Sequence, residues 1–166
     1  MNGFQYIGLD IHKRTINYCV KTADGKIVEE GRKVASKDKL KSWAEARRQP
    51  WVGAMEATLF THWVYDVLRP YAAELKVANP LLLKAITAAK KKNDRVDART
   101  LADLLRCDLL PECYTMPADL RDLRRVLRYR NFLVRHATSL QNRISGLLME
   151  SGESYNTRRL HGKRYF

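Results

Sequence analysis

The sequence predicts an α/β fold, a mixed sheet covered by helices. Three observations carry that expectation. Three β-rich runs stand at the N-terminus, at residues 5–11, 15–21 and 26–34. Two further apolar runs, at 51–55 and 74–78, alternate with amphipathic stretches. Beyond residue 93 the periodicity is helical. Antiparallel strands that run into strands separated by helical crossovers imply both kinds of pairing in one sheet.

In residues 5–11, Ile7, Leu9 and Ile11 point one way, and Tyr6, Gly8 and Asp10 the other. The run Thr-Ile-Asn-Tyr-Cys-Val-Lys at 15–21 is the second strand. Asp24-Gly25 is a strong hairpin turn into the third. Ser36 is placed to cap a helix bearing Leu40, Trp43 and Ala44 at helical spacing, and Pro50 stops that stretch. Residues 51–55 read as a buried strand. A helix through Trp63, Val64, Val67 and Leu68 ends at Pro70. Residues 74–78 are the fifth strand, and Asn79-Pro80 turns the chain. Residues 88–93, small and basic, read as a solvated loop or a frayed helix end. Asn93 is placed to cap a helix from Asp94 to about Cys107, with Ala98, Leu101, Ala102, Leu104 and Leu105 on its apolar face.

Pro111 and Pro117 bracket a linker. From Ala118 to about Glu150 no Gly or Pro intervenes before Gly146. Leu120, Leu123, Leu127, Val134, Ala137, Ile144 and Leu148 follow a 3,4 spacing. Val126, Leu133, Leu140 and Leu147 flank it, while Arg130 and Gln141 interrupt the seam. Such a helix is roughly 50 Å long. Its stripe is too wide to bury on a small sheet, so pairing with a second helix is expected. The expected organisation is an α/β domain at 1–110, a linker and long helix at 111–152, and a polar basic tail at 153–166.

The charge balance narrows function. Lys and Arg total 31 against 18 Asp and Glu, for a formal net charge of +13 over 166 residues. That excess favours nucleic acid or an anionic membrane surface. No apolar run approaches the ~20 residues of a membrane span, and the N-terminus lacks signal-peptide regions. Cys19, Cys107 and Cys113 show neither metal-ligand spacing nor an even disulfide set, which suits reduced thiols in a cytoplasmic protein.

Against this basic background four carboxylates stand out. Asp10 lies inside an apolar strand, and Glu56 ends another. Asp94 and Asp97 open a helix three residues apart, on one face. A buried carboxylate needs a partner or a metal. Magnesium takes hard oxygen ligands, and two-metal phosphodiester chemistry calls for several carboxylates from separate parts of a fold. Taken singly, each has an ordinary reading: a strand ion pair, a helix cap, or an acidic helix start. His12, two residues past Asp10, can share its face or simply end the strand in solvent. Trp43, Trp51 and Trp63 read as core.

The basic residues fall into two groups. Lys13, Lys90, Lys91, Lys92, Arg95 and Arg99 lie near the carboxylates in sequence. Arg121, Arg124, Arg125, Arg128 and Arg135 line the long helix. Phosphate contacts of this kind carry affinity but little sequence information.

The runs Tyr6 to Lys13, Ala54 to Thr58 and Lys92 to Ala98 resemble the motifs of the DEDD transposases of the insertion-sequence-110 family, which includes the Piv-type invertases. Leu101-Ala102, Leu123-Arg124-Arg125 and Asn142-Arg143-Ile144 extend the resemblance to about Gly152. It implies a RuvC-like, ribonuclease-H-type sheet of order 3-2-1-4-5. It also implies that Asp10, Glu56, Asp94 and Asp97 are catalytic and bind magnesium, with manganese as a substitute. DNA would be cut and rejoined under the direction of a bridge RNA, and the long helix would join protomers as a coiled coil. Family members carry a further, C-terminal domain with a nucleophilic serine. Ser139, Ser145 and Ser151 do not sit in that context, so the expectation is an N-terminal part that needs that domain for strand exchange. The competing readings are a non-catalytic nucleic-acid-binding dimer and an actin-like ATPase. The ATPase fits poorly, with 8 glycines and no second phosphate loop.

Overall fold

The computed structural model describes residues 3–87 and 94–162, with the backbone alone at 87 and 94–96. The order of elements is β1 (Gln5–Ile11), β2 (Thr15–Lys21), β3 (Ile27–Val34), α1 (Lys37–Glu45), β4 (Trp51–Glu56), α2 (Thr61–Leu68), β5 (Glu74–Ala78), α3 (Pro80–Thr87), α4 (Asp94–Arg106), α5 (Ala118–Glu150) and α6 (Thr157–Leu160). Two compact units result, Met1–Thr115 and Met116–Phe166.

In the first unit one five-stranded sheet runs β3-β2-β1-β4-β5, as the ribonuclease-H-type resemblance implied. The first three strands form an antiparallel meander, and β4 and β5 add in parallel. Gly25, at φ 89, makes the turn into β3. Alternation along the strands divides the core in two. Ile7, Leu9, Trp51, Met55, Leu75 and Val77 face α1 and α2, in a cluster with Leu40, Trp43, Val64 and Leu68. Val52, Ala54 and Ala78 face the other way, against Leu83 of α3 and Leu101 and Leu105 of α4. Each large side chain fully buried there contributes about 1.5–3 kcal/mol over an exposed one.

Helix α4 crosses the sheet directly over Gly8. A Cβ at Gly8 would stand 2.0 Å from the Ala98 carbonyl oxygen and 2.6 Å from the Ala102 nitrogen. Only hydrogen fits at that crossing, and the small Ala98 and Ala102 complete it from the helix side. Two ion pairs hold α4 across the meander. Lys21 Nζ, on a side chain only 8% exposed, reaches Asp103 Oδ2 at 2.5 Å. Arg99 grips Glu30 of β3 with two nitrogens, one of them 2.7 Å from Oε2. Asp108, at φ 55, ends the helix, with Leu109 N bonded to Leu104 O and Asp108 N to Leu105 O. That is the paired-bond pattern of a left-handed helix stop, with Asp in place of the usual Gly.

Two elements depart from expectation. Asn79-Pro80 does not merely turn the chain. Asn79 Oδ1 accepts from Leu81 N at 3.0 Å, and Pro80 opens α3 as its first residue. The region after Gly152 also orders in part. Asn156 caps α6, and His161 Nε2 lies 2.9 Å from Ser145 Oγ. The stretch after α4 adds to the sheet, with Cys113 N bonded to Val77 O at 2.8 Å and Asn79 N to Pro111 O at 2.7 Å.

In the second unit α5 spans 33 residues and none of them is buried. Leu123, Leu127, Leu133 and Val134 are all exposed. The helix ends on Gly152, at φ 71, with Glu153 N bonded to Leu148 O.

Gly8→Ala should therefore lower stability by about 1–3 kcal/mol or more, since the helix backbone must move. Gly146→Ala, in open space on α5, should gain about 0.5–1 kcal/mol. Thermal melts followed by circular dichroism read both, and equal effects would contradict the crossing.

Burial pushes the Asp103 carboxyl upward, but its bonds to Lys21 and Arg106 outweigh that and leave it below its ordinary value. A depressed carboxylate stabilises the fold above its unfolded pKa and loses that contribution as pH falls through its folded value. Wild type should thus lose stability below about pH 4. Asp103→Asn should be less stable at neutral pH and show a shallower acid loss in denaturant titrations at several pH values.

Candidate metal and phosphodiester site

The register of β1 on β4 brings two of the four carboxylates side by side. Gly8 pairs with Ala54 and Leu9 with Met55. The next residue on each parallel strand is Asp10 on one and Glu56 on the other, with strands about 4.8 Å apart. Both belong to the face that α4 crosses, since Gly8 and Ala54 alternate with them. Asp10 is 14% exposed. Its Oδ2 receives His12 Nε2 at 2.8 Å and Asn17 Nδ2 at 3.5 Å. Asn17 is buried and sits opposite Asp10 across the β1–β2 hairpin.

Glu56 ends β4, and its carbonyl accepts from Thr61 Oγ1 at 2.9 Å. The cap position of α2 belongs to Phe60, so Glu56 does not serve as a helix cap. A cavity of about 190 Å³ joins Glu56 to Asp97 of α4, and Leu83, Lys84 and Thr100 also line it. The crossing at Gly8 thus carries Asp97, one turn before Leu101, to the end of the sheet where Glu56 emerges. Asp94 opens the same helix, and its side chain lies outside the described residues. So do Lys90, Lys91 and Lys92 and the side chain of Arg95.

Among the described residues, no group of three or more His, Cys, Asp or Glu is close enough to hold a metal ion. The contacts connect the carboxylates in steps instead: Asp10 beside Glu56 by register, and Glu56 with Asp97 through the cavity. The donor chemistry suits a hard divalent cation, since these are carboxylate oxygens with no thiolate among them. His12 and Asn17 engage Oδ2 of Asp10.

The basic residues divide. Lys13 is exposed in the β1–β2 turn, beside the Asp10 end of the strand. Arg99 is engaged with Glu30, which raises its pKa further. On α5, Arg124, Arg125, Arg128 and Arg135 are exposed, and Arg125 Nη1 lies 3.2 Å from Asp122. Arg121, on the same helix, is partly covered. Cys19 is buried beneath α4, and desolvation, with help from Glu30, pushes its thiol up to about 11. Cys19, Cys107 and Cys113 are all free. No helix among the described residues is long and apolar enough to cross a membrane.

Two neighbours of the site were not anticipated. Asn17 was legible in principle, because a tight link between two strands fixes their register and sets it across from Asp10. Lys84 was not, because residues 81–87 were assigned to no element.

A family model described as a transposase, of the DEDD insertion-sequence-110 type, matches residues 7–152. No curated protein matches the chain.

Proposed function

The chain belongs to the DEDD transposase family of insertion-sequence-110 type, and from that premise we propose that Asp10, Glu56, Asp94 and Asp97 form a magnesium site for cutting and rejoining DNA. One observation carries the reading. Asp10 and Glu56 end neighbouring parallel strands on the face crossed by α4, the helix that bears Asp97. These positions are also the four acidic positions of the family's motif.

When bound, magnesium or manganese supplies charge neutralisation at the phosphate and a more acidic attacking hydroxyl. The chain's own residues do the rest. Asp10 would be a ligand of the cation, and His12 and Asn17, which hold its Oδ2, limit rotation of the carboxylate. Glu56 and Asp97 hold their side of the cavity open and anionic. Lys13, and Lys90 to Lys92 with Arg95, meet the phosphates flanking the scissile bond. Arg99 contributes its charge while it remains tied to Glu30.

Further partners follow from the same premise. A bridge RNA selects the DNA, the exposed arginines of α5 meet nucleic-acid phosphates, and the apolar seam of α5 pairs with a second copy as a coiled coil. The wide exposed stripe on that helix supports the last point. Strand exchange needs a serine nucleophile from a further domain. The setting is the cytoplasm, at the nucleoid.

Calorimetric titration with magnesium should show binding to the wild-type chain. His12→Ala should weaken it about tenfold, as loss of an orienting partner does at metal sites. Asp10→Asn should weaken it more. Equal heats in all three would remove the proposed site.

A further inference from the structure

A second concavity in the first unit lies apart from the carboxylate site. It is an open groove of about 1000 Å³ between β3 and α1, on the side of the sheet away from α4. Four cationic side chains line it on that face: Lys33 from β3, Lys39 from α1, and Arg47 and Arg48 from the turn that follows α1. Among its described lining residues Glu29 is the one carboxylate. That carboxylate is already engaged, with Arg47 Nη2 at 2.8 Å and the Tyr18 hydroxyl at 2.6 Å.

Part of this surface is rigidly built. The Arg47 side chain is only 10% exposed, and its guanidinium stacks 4.4 Å from the centre of the Trp43 ring. Trp43 packs in turn on Tyr18 and Trp51. The floor of the groove is therefore continuous with the core, and its positive charge is fixed in place. Lys39 and Arg48 stand exposed around it, with Gln5, Ser42 and Gln49 as neutral hydrogen-bonding groups.

A pocket for a small molecule is enclosed and mostly apolar. This groove is open and cationic, and its aromatic ring lies buried in the floor rather than free to stack on a base. Those features suit the phosphates of an extended polyanion. We propose that the β3–α1 groove binds a single strand of nucleic acid through its phosphodiester backbone, without reading its bases. The strand held there is separate from the one at the carboxylates, because the two surfaces lie on opposite faces of the sheet. The proposal rests on the nucleic-acid reading above and adds a second contact surface to it.

The test is fluorescence anisotropy with labelled oligouridylate and oligothymidylate over a salt series, with a DNA duplex as the third arm. Lys33→Gln, Lys39→Gln and Arg48→Gln combined should weaken single-strand binding about tenfold or more. The slope of log affinity against log salt should fall by about 2, at ~0.7 per phosphate contact on a single strand. The charge-keeping combination Lys33→Arg, Lys39→Arg and Arg48→Lys should retain most of the affinity. Circular dichroism checks the fold of each variant.

Wild-type affinity and slope in the neutralised variant would overturn the proposal, as would binding of the duplex alone or no binding of either oligonucleotide by the wild type. A single strand held by the groove in a protein with no magnesium heat would instead overturn the metal site and leave this surface standing. Comparison of the two oligonucleotides tells whether RNA or DNA is the preferred strand.

Discussion

The close crossing of α4 over Gly8 is the constraint on which the arrangement of the site depends. Helices usually ride about 10 Å above a sheet on a layer of side chains. Here backbone meets backbone, because Gly8 offers no Cβ and Ala98 and Ala102 offer little more. The consequence is positional. A helix seated that deeply carries its first turn to the end of β1 and β4, where Asp10 and Glu56 emerge. A larger residue at any of the three positions would lift the helix and withdraw Asp97 from the cavity it shares with Glu56.

Charge is divided between scaffold and surface. The Lys21–Asp103 and Arg99–Glu30 pairs lie one turn apart on one face of α4 and hold it over the antiparallel strands. Lys21 is buried, so losing its partner would leave a charge in a poorly solvated place. These cations belong to the architecture first. The net excess of +13 remains for other surfaces, and the β3–α1 groove collects four of the cations, one of which, Arg47, is paired with Glu29.

Much of the fold was legible because its signals are local. Alternation in residues 5–11 assigns Gly8 and Asp10 to one face, the Asp24-Gly25 turn fixes the meander, and the apolar runs at 51–55 and 74–78 leave few alternatives. The sheet order came from the resemblance, since strand pairing is a long-range property that periodicity does not encode. Asn79-Pro80 was misread because the same dipeptide serves a turn and a helix start. The choice depends on whether the next turn finds an apolar surface, which Leu83 does. The short helix after Asn156 was missed because a polar tail has no periodicity to read. At the site, Asp10 and Glu56 stood out in the sequence because each lies in or at the end of an apolar strand, whereas Asp94 and Asp97 are an ordinary acidic helix start and drew weight from the company of the other two and from the resemblance. The link from Asn17 to Asp10 and the presence of Lys84 needed three-dimensional register. The Arg99–Glu30 pair, 69 residues apart, left no trace in spacing.

The most direct test of the account is anomalous diffraction from crystals of this chain grown with manganese. The account predicts a manganese peak within about 2–2.6 Å of carboxylate oxygens, between Asp10 and Glu56 and on the α4 side of the sheet. A peak elsewhere, or none at those carboxylates, would contradict it.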